Sequence, residues 1–229
     1  MSSGPRYPTH LLRPVADWLV RALSRVFEEG PYVAGSLRRR TRDAADIELV
    51  GQPTSVRAVE TRLSALGLPL QPGSVDRQIQ LLVQTRALPS PVPMTLHLAR
   101  RYLHRGQPSL FELPCPVGPP PSNLGYKLLL ATGSARFNHL FVTSWAQGGL
   151  RPESLVCRDG FVWPATSGPA APLIAPALPN DKPDETALFR LWGLDEICLA
   201  RYGQPTVPPE LRTAAVAQGL RQARLENGA

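Results

Sequence analysis

A chain of 229 residues, 43% hydrophobic and 19% charged, has the material for one ordinary domain or a small domain with an appendage, and is too apolar to be disordered throughout. Its 26 prolines predict long loops and abrupt breaks. The formal charge of +7 is uneven: residues 1–45 carry +4, 46–76 carry −2, 77–152 carry +7 and 153–229 carry −2. The third segment holds eight basic side chains and one acid, Glu112. A basic stripe suits a polyanion such as nucleic acid or nucleotide. A surface kept basic for solubility fits the charge equally well. Arg outnumbers Lys by 23 to 2.

No run approaches the ~18–20 apolar residues of a membrane span. The opening Met1-Ser2-Ser3-Gly4-Pro5-Arg6 lacks the apolar stretch of a secretory leader. Cys115, Cys157 and Cys198 are far apart and odd in number, so neither a disulfide framework nor a thiolate zinc site is indicated, and a reducing cytoplasm is the simple expectation. His10, His97, His104 and His139 form no HExxH pattern, and GxSxG and GxxxxGK[ST] are absent. Metalloprotease, α/β-hydrolase and P-loop chemistry therefore have no support in sequence.

In chain order, Leu11, Leu12, Val15, Leu19, Val20, Leu23, Val26 and Phe27 recur at helical spacing and predict a helix over 10–29, stopped by Gly30-Pro31. Tyr32-Val33-Ala34 reads as a short strand turning at Gly35-Ser36, with Arg38, Arg39 and Arg40 following. Asp46-Ile47-Glu48-Leu49-Val50 alternates charged and apolar residues, as a strand does. A helix is predicted over 54–67, with strands over 77–85, 94–104 and 110–113. Lys127–Leu130 leads into Thr132-Gly133-Ser134 and a helix over 134–147. A hairpin is predicted over 156–162, an irregular proline-dense loop over 164–183, a short helix over 185–193 and a polar helix over 210–226.

Asp46 and Glu48 stand at i and i+2 on the predicted strand, so both carboxylates project to one face. Paired hard oxygen donors suit Mg²⁺. An exposed strand face accounts for D-x-E alone just as simply. Two further features sharpen the reading. Gly35-Ser36 sits at a predicted strand-to-helix turn whose backbone N–H groups suit phosphate, with arginines beside it. Glu112, flanked by Phe111 and Leu113, reads either as an arginine's ion-pair partner or as a third ligand from a neighbouring strand. Three carboxylates, a phosphate turn and arginines are the parts of two-metal phosphoryl transfer.

Gly35-Ser36-Leu37-Arg38-Arg39 followed by Asp46-Ile47-Glu48 resembles the nucleotidyltransferase signature of X-family, beta-like DNA polymerases. Thr132-Gly133-Ser134-Ala135-Arg136-Phe137-Asn138 resembles the T-G-S-x-x-F-N segment of that family. Glu185–Gly193, Tyr202 and Pro208-Pro209-Glu210-Leu211-Arg212 resemble its C-terminal end, so the likeness runs from about residue 10 to 212. It implies an α+β fold: a nucleotidyltransferase palm, a mixed sheet with flanking helices, over 1–125, and a small C-terminal α/β subdomain binding nucleotide and duplex over 126–229. It implies that Asp46, Glu48 and Glu112 are catalytic and hold two Mg²⁺ ions, or Mn²⁺ in their place. Gly35, Ser36, Arg39, Thr132, Gly133, Ser134 and Asn138 would bind nucleotide. Arg100, Arg101, Arg105, Arg136 and His139 would bind DNA, and Arg38 would pair with a carboxylate in a structural role. The expected partners are a primer-template or gapped DNA duplex and a dNTP or NTP, with no membrane. The expected setting is a cytoplasmic, nucleoid-associated monomer of bacterial or phage type.

The chain departs from that pattern in places. Glu112 is one methylene longer than the usual aspartate. Leu130-Ala131 replaces an aromatic pair before Thr-Gly, which implies weak sugar discrimination. Val142 replaces a polar position, which implies looser template checking. The short stretch before the Gly-Ser strand has no room for a lyase domain. Two alternatives share the fold: a template-independent or small-substrate nucleotidyltransferase, and a weakly catalytic DNA-binding module.

Overall fold

The computed structural model describes residues 5–68, 70, 78–86, 88–101, 122–158, 160–165 and 185–227. It is a mixed α/β architecture. A short strand β1 (Tyr7–Pro8) leads into α1 (Thr9–Leu23), a 3-10 turn (Ser24–Val26) and β2 (Phe27–Val33). Next come α2 (Gly35–Arg38), β3 (Asp43–Ala44), β4 (Ile47–Pro53), α3 (Val56–Ala65), β5 (Gln78–Val83) and β6 (Val92–Leu98). The second half holds α4 (Leu124–Thr132), α5 (Ala135–Val142), the hairpin β7 (Leu155–Arg158) and β8 (Phe161–Pro164), α6 (Thr186–Leu191), α7 (Asp195–Tyr202) and α8 (Ala214–Glu226). Among these helices none is long and apolar enough to cross a membrane.

Four strands form one sheet in the order β2-β4-β6-β5. β4 lies antiparallel to β2 and parallel to β6, and β5 closes the far edge antiparallel to β6. Ile47 and Leu49 point from β4 into a core completed by Leu12, Leu19 and Leu23 of α1 and Val59 and Leu63 of α3. Glu48 and Val50 point to the other face. There Val50 meets Ala34, Ala99, Leu124 and Leu128 in a smaller cluster. The alternation predicted over 46–50 is thus what places two carboxylates opposite the main core.

A separate core fills the second half, around Phe137, Phe141, Phe189 and Trp192. Phe141 stacks on Trp192 with ring centroids 4.9 Å apart, and the Trp192 indole N–H donates to the Phe141 carbonyl. Three helix starts have a local cause. Ser55, Ser134 and Thr213 are N-caps whose side chains accept from Ala58, Phe137 and Val216 N–H groups.

The structure corrects several boundaries. The helix predicted over 10–29 ends at Leu23, because Phe27, Tyr32 and Val33 pair with β4 instead. Gly30-Pro31 therefore breaks no helix. It lies inside β2, where the register shifts, and an edge strand tolerates a proline that lacks a donor. The helix predicted over 134–147 stops at Val142, and a single 3-10 turn (Trp145–Gln147) follows, closed by Gly148. Helices α4 and α7 were not expected. α8 begins at Ala214, and its sequence polarity conceals a buried stripe of Ala217, Leu220 and Ala223. The strand expected over 110–113 and nearly all of the loop over 164–183 lie outside the described residues.

Candidate functional site

Asp46 sits one residue before β4 and Glu48 is its second residue. The strand is anchored at this end by the Ala34 N–H, which donates to the Glu48 carbonyl at 2.8 Å. That bond brings the start of α2 against the Glu48 side chain. Gly35 has φ +60°, and a Cβ added there would lie 1.9 Å from Glu48 Oε2. The glycine is required twice, by its left-handed backbone and by the carboxylate against it.

Burial and the neighbouring Glu48 carboxylate push the Asp46 carboxyl above its ordinary value, against the opposing pull of His97, Arg6 and Arg39. Two like charges confined on one face are a place where a cation is stabilising. β6 adds a residue that sequence reading missed. In the β4–β6 register Thr95 stands beside Glu48 and His97 beside Val50. His97 Nε2 is 3.6 Å from Glu48 Oε1, and it is buried with no hydrogen-bond partner. No strand pattern singled out His97. Only the parallel pairing of β6 with β4 brings it here.

Arg39 ties this end of the sheet to the second half. Its Nη1 donates to the Thr132 carbonyl and, at 3.1 Å, to the Gly133 carbonyl. Its Nη2 donates to Ser36 Oγ at 3.1 Å. Burial pulls the guanidinium below its usual value, and the Glu48 carboxylate opposes that shift. Arg39 and Ser36, expected at the phosphates of a nucleotide, are here bonded to each other. The Gly-Ser turn and the Thr-Gly-Ser loop, almost a hundred residues apart, are therefore joined by one side chain.

Beneath them lies a buried ionic cluster. Glu185 is 6% exposed and Arg212 is 1% exposed. Arg212 donates to both Glu185 oxygens at 3.0 and 2.7 Å, and Arg38 does the same at 2.8 and 3.0 Å. Arg38 also donates to the hydroxyl of buried Thr132 at 2.8 Å, and Arg212 Nε donates to the Val207 carbonyl at 3.1 Å. Burial alone would raise the Glu185 carboxyl. Arg212, and then Arg38, outweigh it and hold the group below its ordinary value of 4.5. The structural role expected of Arg38 is met, by a carboxylate 147 positions away.

The Thr-Gly-Ser segment is shaped by Asn138. Its Nδ2 donates to the Leu130 carbonyl, and its Oδ1 is buried without a partner. A Cβ on Gly133 would lie 2.2 Å from that Oδ1. Asn138 therefore clamps the α4–α5 turn, with Gly133 left bare to admit it. Ser134 is occupied as the cap of α5.

The expected DNA-contacting residues are scattered. Arg136 and His139 are exposed on α5. Arg101 pairs with Glu28 of β2 at 3.3 Å. The Arg100 guanidinium lies 5.5 Å from the Phe161 ring centroid. Glu112 and Arg105 lie outside the described residues. Among the described residues no group of three or more His, Cys, Asp or Glu side chains is gathered to hold a metal ion. The chain matches no protein-family model, and no curated protein matches it.

Two outcomes follow from this geometry. Glu185→Gln leaves buried Arg212 and partly exposed Arg38 without their counter-charge and is expected to lower the unfolding free energy by about 3–5 kcal/mol, measured in urea. Glu185 has a depressed folded value, so its contribution is complete above the ordinary carboxylate value and fades as pH falls through the folded one. The wild-type and variant midpoints are accordingly expected to converge in acid. Gly35→Ala is expected to displace Glu48 and strain the backbone by about 1–2 kcal/mol, so that its Tm falls modestly.

Proposed function

We propose that this chain is a nucleotidyltransferase that adds nucleotides from a dNTP or NTP to the 3′-hydroxyl of a DNA primer, on a palm of the X-family polymerase type. The observation that carries the reading is the contact of the Asp46/Glu48 pair with the Gly-Ser turn at Gly35, and the reach of Arg39 from that turn to the Thr-Gly-Ser loop. The three segments that suggested the family in sequence thus meet at one end of a central strand. A mixed sheet with a parallel central pair, α1 and α3 behind it and the acids in front supports the palm assignment.

The donor set fits a hard cation. Asp46 and Glu48 are oxygen donors, and after burial, the larger cause, the Glu48 charge also raises the Asp46 carboxyl, a repulsion that a cation relieves. Mg²⁺ held there, with Mn²⁺ as its substitute, supplies neutralisation of the phosphate charge and a more acidic bound hydroxyl. Asp46 and Glu48 fix the position of that charge. The Gly35-Ser36 turn presents its backbone to the phosphates, which requires the Ser36–Arg39 bond to open. Gly133, Ser134 and Asn138 shape the turn beside the nucleotide. Arg136 and His139 present an exposed α5 face to the duplex, and Glu112 remains the third carboxylate of the resemblance. The activity belongs to a cytoplasmic, nucleoid-associated monomer that fills gaps.

A second reading rests on one feature of β6. Beside Glu48 it carries Thr95, and beyond that His97, where a neighbouring strand could have supplied an acid. That favours a DNA-binding module of the same fold with weak turnover. Primer extension on gapped duplex with Mg²⁺ separates the two. The enzyme is expected to extend, and Glu112→Ala to abolish extension; undiminished extension by that variant would sink the assignment of the third ligand.

Asp46→Asn tests the acid pair directly. It is expected to abolish extension and yet raise Tm at neutral pH. Asp46 has a raised folded value, so the protonated form is favoured in the fold. A stability cost then switches on as pH rises through that value, and Asn is free of it. The Tm gap between variant and wild type should therefore close in acid. An Asp46→Asn protein that extends primers at the wild-type rate overturns the proposal.

A further inference from the structure

We infer that the back of the sheet carries a second nucleic-acid contact, a single-strand-binding face on α1 and α3 remote from the acidic pair. Helix α1 buries Leu12, Val15, Ala16, Leu19 and Leu23 in the core. Its opposite side leaves Trp18 38% exposed, with Arg21 exposed one helical turn on and Arg25 exposed in the 3-10 turn that follows. α3 adds exposed Arg57 beside a groove of about 600 Å³, lined also by Val26, Ser55, Thr61 and Arg62. Arg62 Nε donates to the Ala22 carbonyl of α1 at 2.9 Å, which fixes the two helices side by side. The side chains of Arg21, Arg25 and Arg57 have no hydrogen-bond or ion-pair partner among the described residues. Of the acids on these two helices, Asp17 is already held by Arg13 at 3.0 Å, and Glu60 lies on α3.

The chemistry of this face selects its partner. Guanidiniums without counter-charges attract phosphates, and they do so at the spacing of a chain rather than of one ion. An exposed indole among them is a platform on which a base can stack. Unpaired bases are needed for that, so a single strand suits the face better than a duplex. An anionic membrane would need an apolar stripe to insert, and α1 has already committed its stripe to the core.

The face lies behind β4, whereas Asp46 and Glu48 lie in front, so the inference does not depend on the reaction proposed above. Fluorescence anisotropy with labelled oligo-dT, followed from low to physiological salt, tests it on the full chain. Arg21→Glu/Arg25→Glu is expected to bind at least about tenfold more weakly, with the salt slope reduced by about 1.4. Trp18→Ala is expected to lose roughly fivefold or more at an unchanged slope. Arg57→Glu is expected to bind severalfold more weakly, with the salt slope reduced by about 0.7, and stands in for the double variant should that melt early. Wild-type affinity in both the Trp18 and the arginine variants overturns the inference. So does binding to phosphatidylserine vesicles, lost in the arginine variants, in place of binding to oligo-dT. Primer extension separates the two ideas. If the arginine variants bind normally while Asp46→Asn is inactive, the face fails and the active site stands. If Asp46→Asn extends normally while the arginine variants lose binding, the reverse holds.

Discussion

The organisation of this chain rests on one carboxylate held between two guanidiniums. Glu185 accepts two hydrogen bonds from Arg38 and two from Arg212 in a setting nearly closed to water. Such a cluster is costly to desolvate, and its geometry has to be close to ideal to be tolerated. That demand fixes the positions of everything attached to it. Arg38 belongs to the turn that abuts Glu48, Thr132 closes α4, Glu185 starts α6, and Arg212 precedes α8. Arg39, the next residue, then repeats the link on the outside through Thr132, Gly133 and Ser36. The sheet with its acids and the helical half with its loop are therefore held in register by two adjacent arginines. One reaches into the buried ionic cluster, and the other is half-buried beside the candidate site.

This arrangement gives the acidic pair its environment. Asp46 and Glu48 are kept close by a strand whose other side chains are locked in the core, so the pair cannot relax by moving apart. Burial first, and then the Glu48 carboxylate, hold the Asp46 carboxyl above its ordinary value. The burial that stabilises the fold at Ile47 and Leu49 thus disfavours the ionised form of Asp46 beside them.

The parts legible in sequence were those encoded locally. Alternation over 46–50 gave the strand and the shared face of the carboxylates. Gly35-Ser36 marked the strand-to-helix turn, while the close approaches at Gly35 and Gly133 came from the fold. What escaped was encoded in pairing. The run from Val26 to Glu29 fits a helix as well as an edge strand, and β4 decides between them. Leu124 to Thr132 shows little amphipathic pattern, because α4 is covered on several sides and its leucines need not keep to one face. His97 reaches Glu48 only through the parallel register of β6 with β4. Glu185 finds Arg38 across 147 positions, and no spacing rule spans such a distance.

Helix α4 has a consequence for how the molecule can come apart. Leu124 and Leu128 lie against Val50 on the sheet, whereas Tyr126 and Leu129, on the same helix, lie in the second core. A cut between residues 125 and 126 would split this helix between the fragments, leaving each with an exposed apolar edge. The helix works as a common wall between two rooms. The two halves should accordingly melt in one cooperative transition, and a linker inserted at this point would break a wall rather than lengthen a hinge.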